Sequence, residues 1–554
     1  MRKILVTAAL PYANGELHLG HLKSTYLPPD IFVKYCRLKG YDVVYVCGSD
    51  QHGTPIEINA RKSGMSIEEY IEYWRRRHIE DFRLVGVEFD IFYKTHSPEN
   101  IKLTQEFLTR LRENGYLYEK EVVQLYCPHD RLYLADRFVR GKCPYCGAED
   151  QYGDHCEVCG STYEPWELVE PRCAICGSRD LERRTSKHYY FKLSALAERL
   201  REWITSRGFQ KSVVRYLLNW LERLRDWDIT RENYWGIPMP FEDAKDKYVY
   251  VWFDAPIGYI SATVKWASER GRRWEEFWKE EGAEIIHFIG KDIIYHHFLF
   301  WPAMLMAVGG YNLPTNIVVR GFLTLEGRKF SKSRKWYLSI RKAAEIFDPD
   351  YLRFYLTLVT PASLEDTDFA LEDFKNIVNS GLCDTIGNYV HRVTSLLHRL
   401  YGGVVPDPGQ VAEGDRELLE ALRALPGRVG EALESFDPKT GLERVLEFAR
   451  LGNRHLNQRE PWKKFKVERG EADSTMFVAS NSVAGLAVVL YPFTPRIAKR
   501  IWRILDVGRE LEDVRWDEAG EPMLRPGHRI GKPEIVAPKV TDEQVERARG
   551  SFGL

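Results

Sequence analysis

The stretch "KILVTAALPYANGELHLGH" at the start of the chain limits the fold more than any other. Its apolar run "KILVTAAL" predicts a strand, and a glycine-containing turn leads into a helix beginning near His18. A second strand follows in "YDVVYVCGS", opening onto "DQHGTPIE". Strand, helix and strand in that order imply an α/β fold with a doubly wound parallel sheet. In such a fold the ligand crevice lies outside the carboxyl ends of the strands. The pattern returns much later in "KYVYVWFDAPIGYI", "EIIHFIGKDIIYHHFLFWPAML" and "TNIVVRGFLTLEG", so one sheet is assembled from distant segments. From about Glu365 the apolar period is helical, which predicts a helix bundle.

At 554 residues the chain exceeds a single core, and three or four domains are expected. Seventy-nine basic against 80 acidic residues leave a net charge of -1, which neither suggests a nucleic-acid partner nor excludes a local basic groove. The N-terminal apolar run is too short for a signal peptide, and no run reaches membrane-spanning length. A soluble, cytoplasmic protein with no membrane partner is therefore expected.

Seven of the ten cysteines fall between Cys127 and Cys176. Without export signals, clustered CxxC pairs point to metal rather than disulfides. "CPYC" (Cys143, Cys146) and "CEVC" (Cys156, Cys159) supply four thiolates at the spacing of a closed tetrahedral zinc site. "CAIC" adds Cys173 and Cys176, but its partner knuckle is "CPHD", in which only Cys127 is a thiol. A second zinc held by Cys127, Cys173, Cys176 and either Asp130 or His129 is chemically sound; the alternative is a weakened or empty site. Both sets are structural by ligand count, with no open position for catalysis.

A helix N-terminus behind a glycine turn offers free N–H groups and a positive dipole end, which suits phosphate. His18 and His21 share a face, and Gly20 lets a flat base approach the backbone. Roughly 300 residues on, "GRKFSKSRKW" places Lys329, Lys332 and Ser333 in a glycine-flanked loop, where mobile cations can meet developing negative charge. Either motif alone also fits a plain surface loop.

Together, in this order and on these elements, the two motifs resemble the signatures of the class I aminoacyl-tRNA synthetases. Within that class the chain is similar to the methionyl-tRNA synthetase family in its archaeal-like form with several zinc knuckles. The resemblance runs over nearly the whole length: "ALPYANGELHLGH", "GSDQHGTPI", the knuckles, "WDITRENYWGIP", "VWFDAPIGY", "FIGKDIIYHHFLFWPAML", "KFSKS" and "NQREPWK". It implies a Rossmann-type catalytic domain split into residues 1–115 and 233–312 by a zinc-knuckle insertion at 116–232. A stem-contact domain with the KFSKS loop at 313–375 and an α-helical anticodon-binding domain with a C-terminal tail at 376–554 complete the implied organisation.

The resemblance also implies an activity, methionine–tRNA ligase, in which L-methionine is activated with ATP and transferred to tRNA(Met). The implied amino-acid pocket is Ala9, Leu10, Tyr12, Asp50, Trp252, Ala255, Pro256, Tyr259, Ile293 and His297. Its chemistry suits a thioether, which favours aromatic walls and a donor near sulfur, while Asp50 can hold the ammonium. The implied ATP site is His18, Gly20, His21, Gly290, Asp292, Lys332 and Ser333, with magnesium bound alongside the nucleotide, and His18, His21, Lys329 and Lys332 carry catalysis. Phe330 stands where the family usually has methionine. In the helical region Asn388, Arg392 and Trp462 match the residues that contact the anticodon. Relatives specific for Ile, Val or Leu carry a large editing domain, and the insertion of about 110 residues leaves little room for one. A non-catalytic, zinc-knuckle RNA-binding scaffold is the alternative from another class, and intact "HLGH" and "KFSKS" argue against it. Nothing after Arg525 makes a complete appended tRNA-binding barrel, so a monomer is expected, with a separate tRNA-binding partner protein still open.

Overall fold

The computed structural model describes residues 2–134, 138–153, 156, 158–159, 161, 163–232, 235–330 and 336–552. Its central sheet has five strands, in the spatial order Asn316–Arg320, Ala283–Gly290, Lys3–Ala8, Asp42–Ser49 and Ile91–Lys94. Every neighbouring pair is parallel. The first strand is therefore flanked on one side by its sequence neighbour and on the other by a strand about 280 residues away. That reversal of strand order opens a crevice at the carboxyl ends of Lys3–Ala8 and Ala283–Gly290. The strand "KILVTA" is buried after its first residue, as helices covering both faces require.

Between the sheet halves lies an antiparallel four-stranded lobe whose long pair, Leu117–Cys127 and Glu182–Phe191, runs in register over ten residue pairs. A three-stranded knuckle sheet (Val139–Lys142, Gln151–Tyr152, Val169–Cys173) sits at its far end. Beyond the central sheet, Leu323–Leu325 pairs with Arg328–Lys329 and with Thr367–Phe369 to make the small sheet that carries the lysine loop.

The remainder is helical, and Arg469–Leu490 runs through its middle with most side chains buried. Among the described residues this is the one helix long and apolar enough to cross a membrane, and 89% of its apolar window is buried inside the fold. The sequence expectation that no run reaches that length is refined accordingly: it is the core helix of the bundle. A buried ionic junction joins the bundle to the half of the chain that carries the parallel sheet. Asp30 meets Lys34 Nζ at 2.7 Å and Arg353 Nη2 at 2.7 Å, and Arg353 also donates to the carbonyls of Val85, Pro492 and Phe493. Burial alone would raise the Asp30 pKa, but Lys34 and Arg353 hold it below the usual carboxylate range. Removing one member of such a junction strands a buried charge, so it fixes how the domains sit.

Candidate active site

The crevice is one cavity of about 1450 Å³, larger than an amino acid alone needs. Its floor is the end of the first strand, its back wall the helix Val251–Arg270, and its roof part of the strand Leu117–Cys127.

His18 is the N-cap of the short helix that opens the "HLGH" motif. The rings of His18 and His21 stack at 3.6 Å with 17° between their planes. Each Nδ1 accepts the other residue's backbone N–H, at 3.4 Å for His18 and 3.2 Å for His21. A ring nitrogen that accepts carries no proton, so both neutral rings hold theirs on Nε2. A Cβ at Gly20 would lie 3.0 Å from His18 Nδ1 and 3.3 Å from Phe330, so a larger residue there would push on both rings. The following turn, Leu22–Tyr26, is π-helical, a form often found at functional sites.

The second signature is sewn to the first. Phe330 stacks on His18 at 4.9 Å. Leu19 N–H donates to Leu338 O and Ile340 N–H to Leu17 O, so the chain leaving the lysine loop pairs with the histidine turn. Lys23, buried within the same motif, donates from Nζ to Gly321 O at 2.9 Å. Of the loop cations, Lys332 and Ser333 lie outside the described residues, as does the side chain of Lys329.

Gly290 ends the strand Ala283–Gly290 and Asp292 lies in the turn that follows, both lining the same crevice as "HLGH". Burial raises the Asp292 carboxyl above its ordinary pKa. Ala9, Leu10 and Tyr12 continue the first strand into the floor, and Tyr12 pairs with Asp50. Tyr12 also donates from its hydroxyl to His52 O at 2.9 Å, leaning on Gly53, whose φ of +105° few other residues adopt. Asp50 is 8% exposed, and its Oδ1 has no partner among the described residues. Burial first, and the neighbouring Asp254 carboxylate second, push its pKa well above the usual value. An arriving cation would reverse both effects.

Trp252, Ala255, Pro256 and Tyr259 lie on consecutive turns of Val251–Arg270 and face the cavity. Pro256 has no N–H, which releases the Trp252 carbonyl from the helical ladder at the wall. Ile293 and His297 come from the opposite side. His297 Nδ1 donates to Ile293 O at 3.1 Å, so Nε2 accepts from the Tyr259 hydroxyl at 2.8 Å. Burial lowers the His297 pKa to about 4, which keeps the ring neutral. Behind them His287 stacks on Tyr259 at 4.9 Å and accepts from Trp301 Nε1.

All the described residues expected in the amino-acid and nucleotide sites thus line one cavity. Others on its wall were not singled out from the sequence. His296 stacks on Trp252 at 3.9 Å, and Arg231 lies over the Tyr250 ring at 3.8 Å. The spacing of Ile293, His296 and His297 was the available signal for the first, since i, i+3 and i+4 share a helix face. A third feature carried no sequence signal. His52 Nδ1 meets Asp254 Oδ2 at 2.8 Å and its Nε2 meets His96 Nδ1 at 3.1 Å, while Trp235 Nε1 donates to Gln51 O. This network clamps both sides of the peptide that presents Asp50.

In the insertion, Cys143, Cys146, Cys156 and Cys159 form one cluster and Cys127, Asp130, Cys173 and Cys176 another, each with ligand atoms within 4.8 Å of one another. Sulfur separations of 3.8 Å (Cys143–Cys159) and 3.6 Å (Cys146–Cys156) match the edge of about 3.8 Å that a tetrahedral zinc–thiolate site requires. In the second cluster Asp130 Oδ2 lies 3.0 Å from Cys173 Sγ, whereas the His129 side chain is 73% exposed. Both donor sets fit a metal ion, and Asp130, not His129, converges with the three thiols.

Asn388 and Arg392 lie a turn apart on Asn388–Tyr401 and both meet Asn453, at 3.2 Å and 3.1 Å. Trp462 opens the next short helix, Pro461–Val467, which packs against that same helix.

Residues 4–394 match the family model described as "tRNA synthetases class I (M)", and residues 405–553 match that of the anticodon-binding domain of methionyl tRNA ligase. The chain is 44% identical to the methionine–tRNA ligase of Pyrococcus abyssi, across 98% of this chain and 77% of that protein. With the methionine–tRNA ligase of Methanopyrus kandleri it shares 43% identity, across 99% of this chain and 82% of that one. Its fold is that of the crystal structure of Mycobacterium tuberculosis methionyl-tRNA synthetase bound by methionyl-adenylate. That likeness has a TM-score of 0.80 at 23% identity and covers 97% of this chain and all of the other.

Proposed function

We propose, from the premise that the chain belongs to the methionyl-tRNA synthetase family of class I, that it is a methionine–tRNA ligase. The methionine carboxylate attacks the α-phosphate of ATP, a P–O bond forms and pyrophosphate leaves. A hydroxyl of the 3′-terminal ribose of tRNA(Met) then attacks the activated carbonyl and AMP departs. Nothing in this scheme needs a covalent enzyme intermediate; positioning and charge stabilisation carry it.

The role of each residue is the one the family resemblance implies, and the chemistry of the side chain supports it. His18 and His21 turn protonated Nε2 atoms to the phosphates, Lys329, Lys332 and Ser333 would supply charge and a hydroxyl to the same phosphates, and Gly290 and Asp292 receive the ribose. Asp50 holds the methionine ammonium, and the aromatic walls with Tyr259 and His297 take the thioether. Magnesium bound with ATP would neutralise charge on the phosphate oxygens. Zinc is the metal we assign to both cysteine clusters, with Asp130 as the fourth ligand of the second. Asn388, Arg392 and Trp462 would meet the anticodon, Trp462 by stacking. The domain limits of the sequence reading, a monomer, and work in the cytoplasm belong to the same proposal.

One observation carries this reading: Phe330 of the lysine loop stacks on His18 at the mouth of a cavity floored by Asp50. The test is pyrophosphate exchange on the purified protein with each of the twenty amino acids. Methionine alone should support exchange, and Lys332→Ala should slow it by orders of magnitude. Exchange with a different amino acid, or with none, overturns the assignment.

A further inference from the structure

Behind the cavity wall a charge is buried without a carboxylate of its own. Lys23 belongs to the π-helical turn Leu22–Tyr26, whose residues Ser24, Thr25 and Tyr26 line the cavity. Lys23 does not line it and is 1% exposed. Among the described residues Lys23 forms no ion pair, and Nζ donates instead to two carbonyls, Gly321 O at 2.9 Å and Phe322 O at 3.3 Å. The acid whose charge reaches it, Asp366, is already paired with Lys291 at 2.6 Å. Taking an ammonium out of water onto neutral acceptors is costly, and buried charges of this kind cluster at functional sites.

The two carbonyls lie where the strand Asn316–Arg320 passes into Leu323–Leu325, and Phe322, Leu323 and Thr324 line the cavity. One side of this segment is fastened by its neighbours in the fold. Asp366 Oδ1 accepts the Phe322 N–H at 2.7 Å, and the Thr367 N–H donates to Phe322 O at 3.0 Å. Gly321 packs so closely on the backbone of Leu364 and Glu365 that a Cβ there has no room. Lys23 is the fastening that comes from the histidine motif, 298 residues earlier in the chain. Lys291, next to Gly290, lies over the Phe322 ring at 4.8 Å, so the segment adjoins the turn that receives the ribose.

We propose that Lys23 is a positioning residue for ATP: its ammonium fixes the Gly321–Phe322 backbone, so that this wall of the nucleotide site is formed before the nucleotide arrives. The inference rests on the ligase reading and adds to it a residue that touches no substrate. The same geometry makes the wall sensitive to pH. From the neighbouring elements Lys23 is faced by Arg320 at the strand end, by Lys291 in the turn after Ala283–Gly290, and by Asp366 ahead of Thr367–Phe369. On its own turn Tyr26 is kept neutral by burial. Burial first and the Arg320 charge second lower the Lys23 pKa to about 8, with Lys291 adding to the fall and Asp366 opposing it. The ammonium is therefore present below that pH and lost above it, and the neutral amine is the weaker donor. The negative charge of bound ATP favours the ammonium and moves its loss to higher pH.

The test follows methionine-dependent pyrophosphate exchange from about pH 6 to about pH 10, together with direct binding of magnesium–ATP, which needs no amino acid. In the wild-type protein kcat/KM for ATP reports the free enzyme and should fall as pH rises through about 8, while kcat should fall only at higher pH. Lys23→Met keeps the length of the side chain and loses its charge. Near neutral pH it should lower kcat/KM for ATP about 10- to 100-fold, as the loss of one charged hydrogen bond does. It should also keep the methionine KM within about twofold and lose the step in the pH profile. Asp366→Asn still has an oxygen for the Phe322 N–H but removes the opposing acid, so its step should move to lower pH; this variant tests the role where Lys23→Met does not fold. A wild-type profile without the step, a step that survives in Lys23→Met, or one that stays in place in Asp366→Asn overturns the proposal. So does a methionine KM that rises together with the ATP KM, because a purely structural lysine would disturb both substrates alike. Wild-type protein that binds ATP with this pH dependence but shows no methionine-dependent exchange would instead reject the ligase reading and leave the role of Lys23 standing.

Discussion

The catalytic cavity and the knuckle lobe solve the same problem, holding polar atoms at fixed separations, by different physics. Around the cavity, the polar atoms are fixed by packing. Strand ends buried on both faces set the backbone, and each ring is locked by a second ring or a hydrogen bond, as Tyr259 is by His297 and His287. The knuckle lobe has no such reserve. Among the described residues its apolar cluster contains ten buried side chains, and four of them are the cysteines Cys127, Cys143, Cys156 and Cys173. A lobe this small cannot bury enough apolar surface to hold itself, so its ligands stand in for a core. One region keeps its shape without metal, and the other should lose it.

The largest expected effect follows directly. Cys146 and Cys159 are exposed, so changing them removes ligands without opening a hole in packed structure. Structural zinc is worth about 10 kcal/mol or more in isolated knuckle peptides. Cys146→Ser/Cys159→Ser should therefore abolish amide-exchange protection across 139–173 while the strand Ala283–Gly290 keeps its protection. A chelator should do the same to the wild-type protein. Equal loss in the catalytic strand would break the comparison, because the two regions would then be one cooperative unit.

Within the cavity, the matching experiment removes a buried partner rather than a ligand. Asp254 accepts from His52 and faces Asp50 from the same side. Losing one charged hydrogen bond of this kind costs about 2–3 kcal/mol, so Asp254→Asn should raise the KM for methionine roughly 30- to 150-fold. The KM for ATP should stay within about twofold. The pH dependence sharpens the reading. Asp50 is pushed above the usual carboxylate range, so its ammonium-holding form is lost as pH falls through that raised pKa. Methionine KM in the wild-type protein should accordingly rise toward low pH, with the pKa read from the profile. In Asp254→Asn the like charge is gone, and that rise should move to lower pH. A profile identical in both proteins would show that Asp254 does not act on Asp50.

A smaller effect separates the two knuckles. Asp130 converges with three thiols, two of them buried, and Cys127 also ends the long strand paired with Glu182–Phe191. That pairing gives the second site support that the first lacks. Asp130→Ala should lower the metal content from two zinc ions per chain to one and leave the first site loaded. Exchange protection of the paired strands should change by less than about tenfold, since one ligand is lost from a site held partly by strand pairing. Two zinc ions retained in the variant would remove Asp130 from the ligand set.

The contrast also explains what could be read from the residues alone. Metal ligands announce themselves by spacing, so both cysteine sets were legible, and only the choice between Asp130 and His129 needed coordinates. The strand–turn–helix at "HLGH" was legible because apolar runs and a glycine turn are local signals. The clamp of His52, His96, Asp254 and Trp235 was not. Its members come from four segments, two of which leave the neighbouring strands Asp42–Ser49 and Ile91–Lys94 and meet the helix and loop of the other two. His296 was half-legible: its spacing put it on the cavity face, but a neighbour, His297, already filled the expected role. The membrane-length apolar helix shows the reverse error, since a bundle core and a membrane span share a composition and differ in what surrounds them.

The smallest effect should come from the far end of the molecule. Trp462 lies on the short helix after Arg459 and is half-buried against the bundle core, so its ring keeps one face for packing and offers the remainder outward. One stacked base is worth about 1–3 kcal/mol, and part of that returns when water covers the vacated surface. Trp462→Ala should therefore lower aminoacylation kcat/KM by about tenfold and leave pyrophosphate exchange unchanged within about twofold. Trp462→Phe should recover most of the loss, because a smaller ring still packs and still stacks. Exchange that falls together with aminoacylation would mean that the helical domain supports the cavity mechanically, through the buried Asp30–Arg353 junction, rather than by touching RNA. Charging that survives Trp462→Ala intact would leave the ring no role beyond packing, and anticodon contact would rest on Asn388 and Arg392 alone.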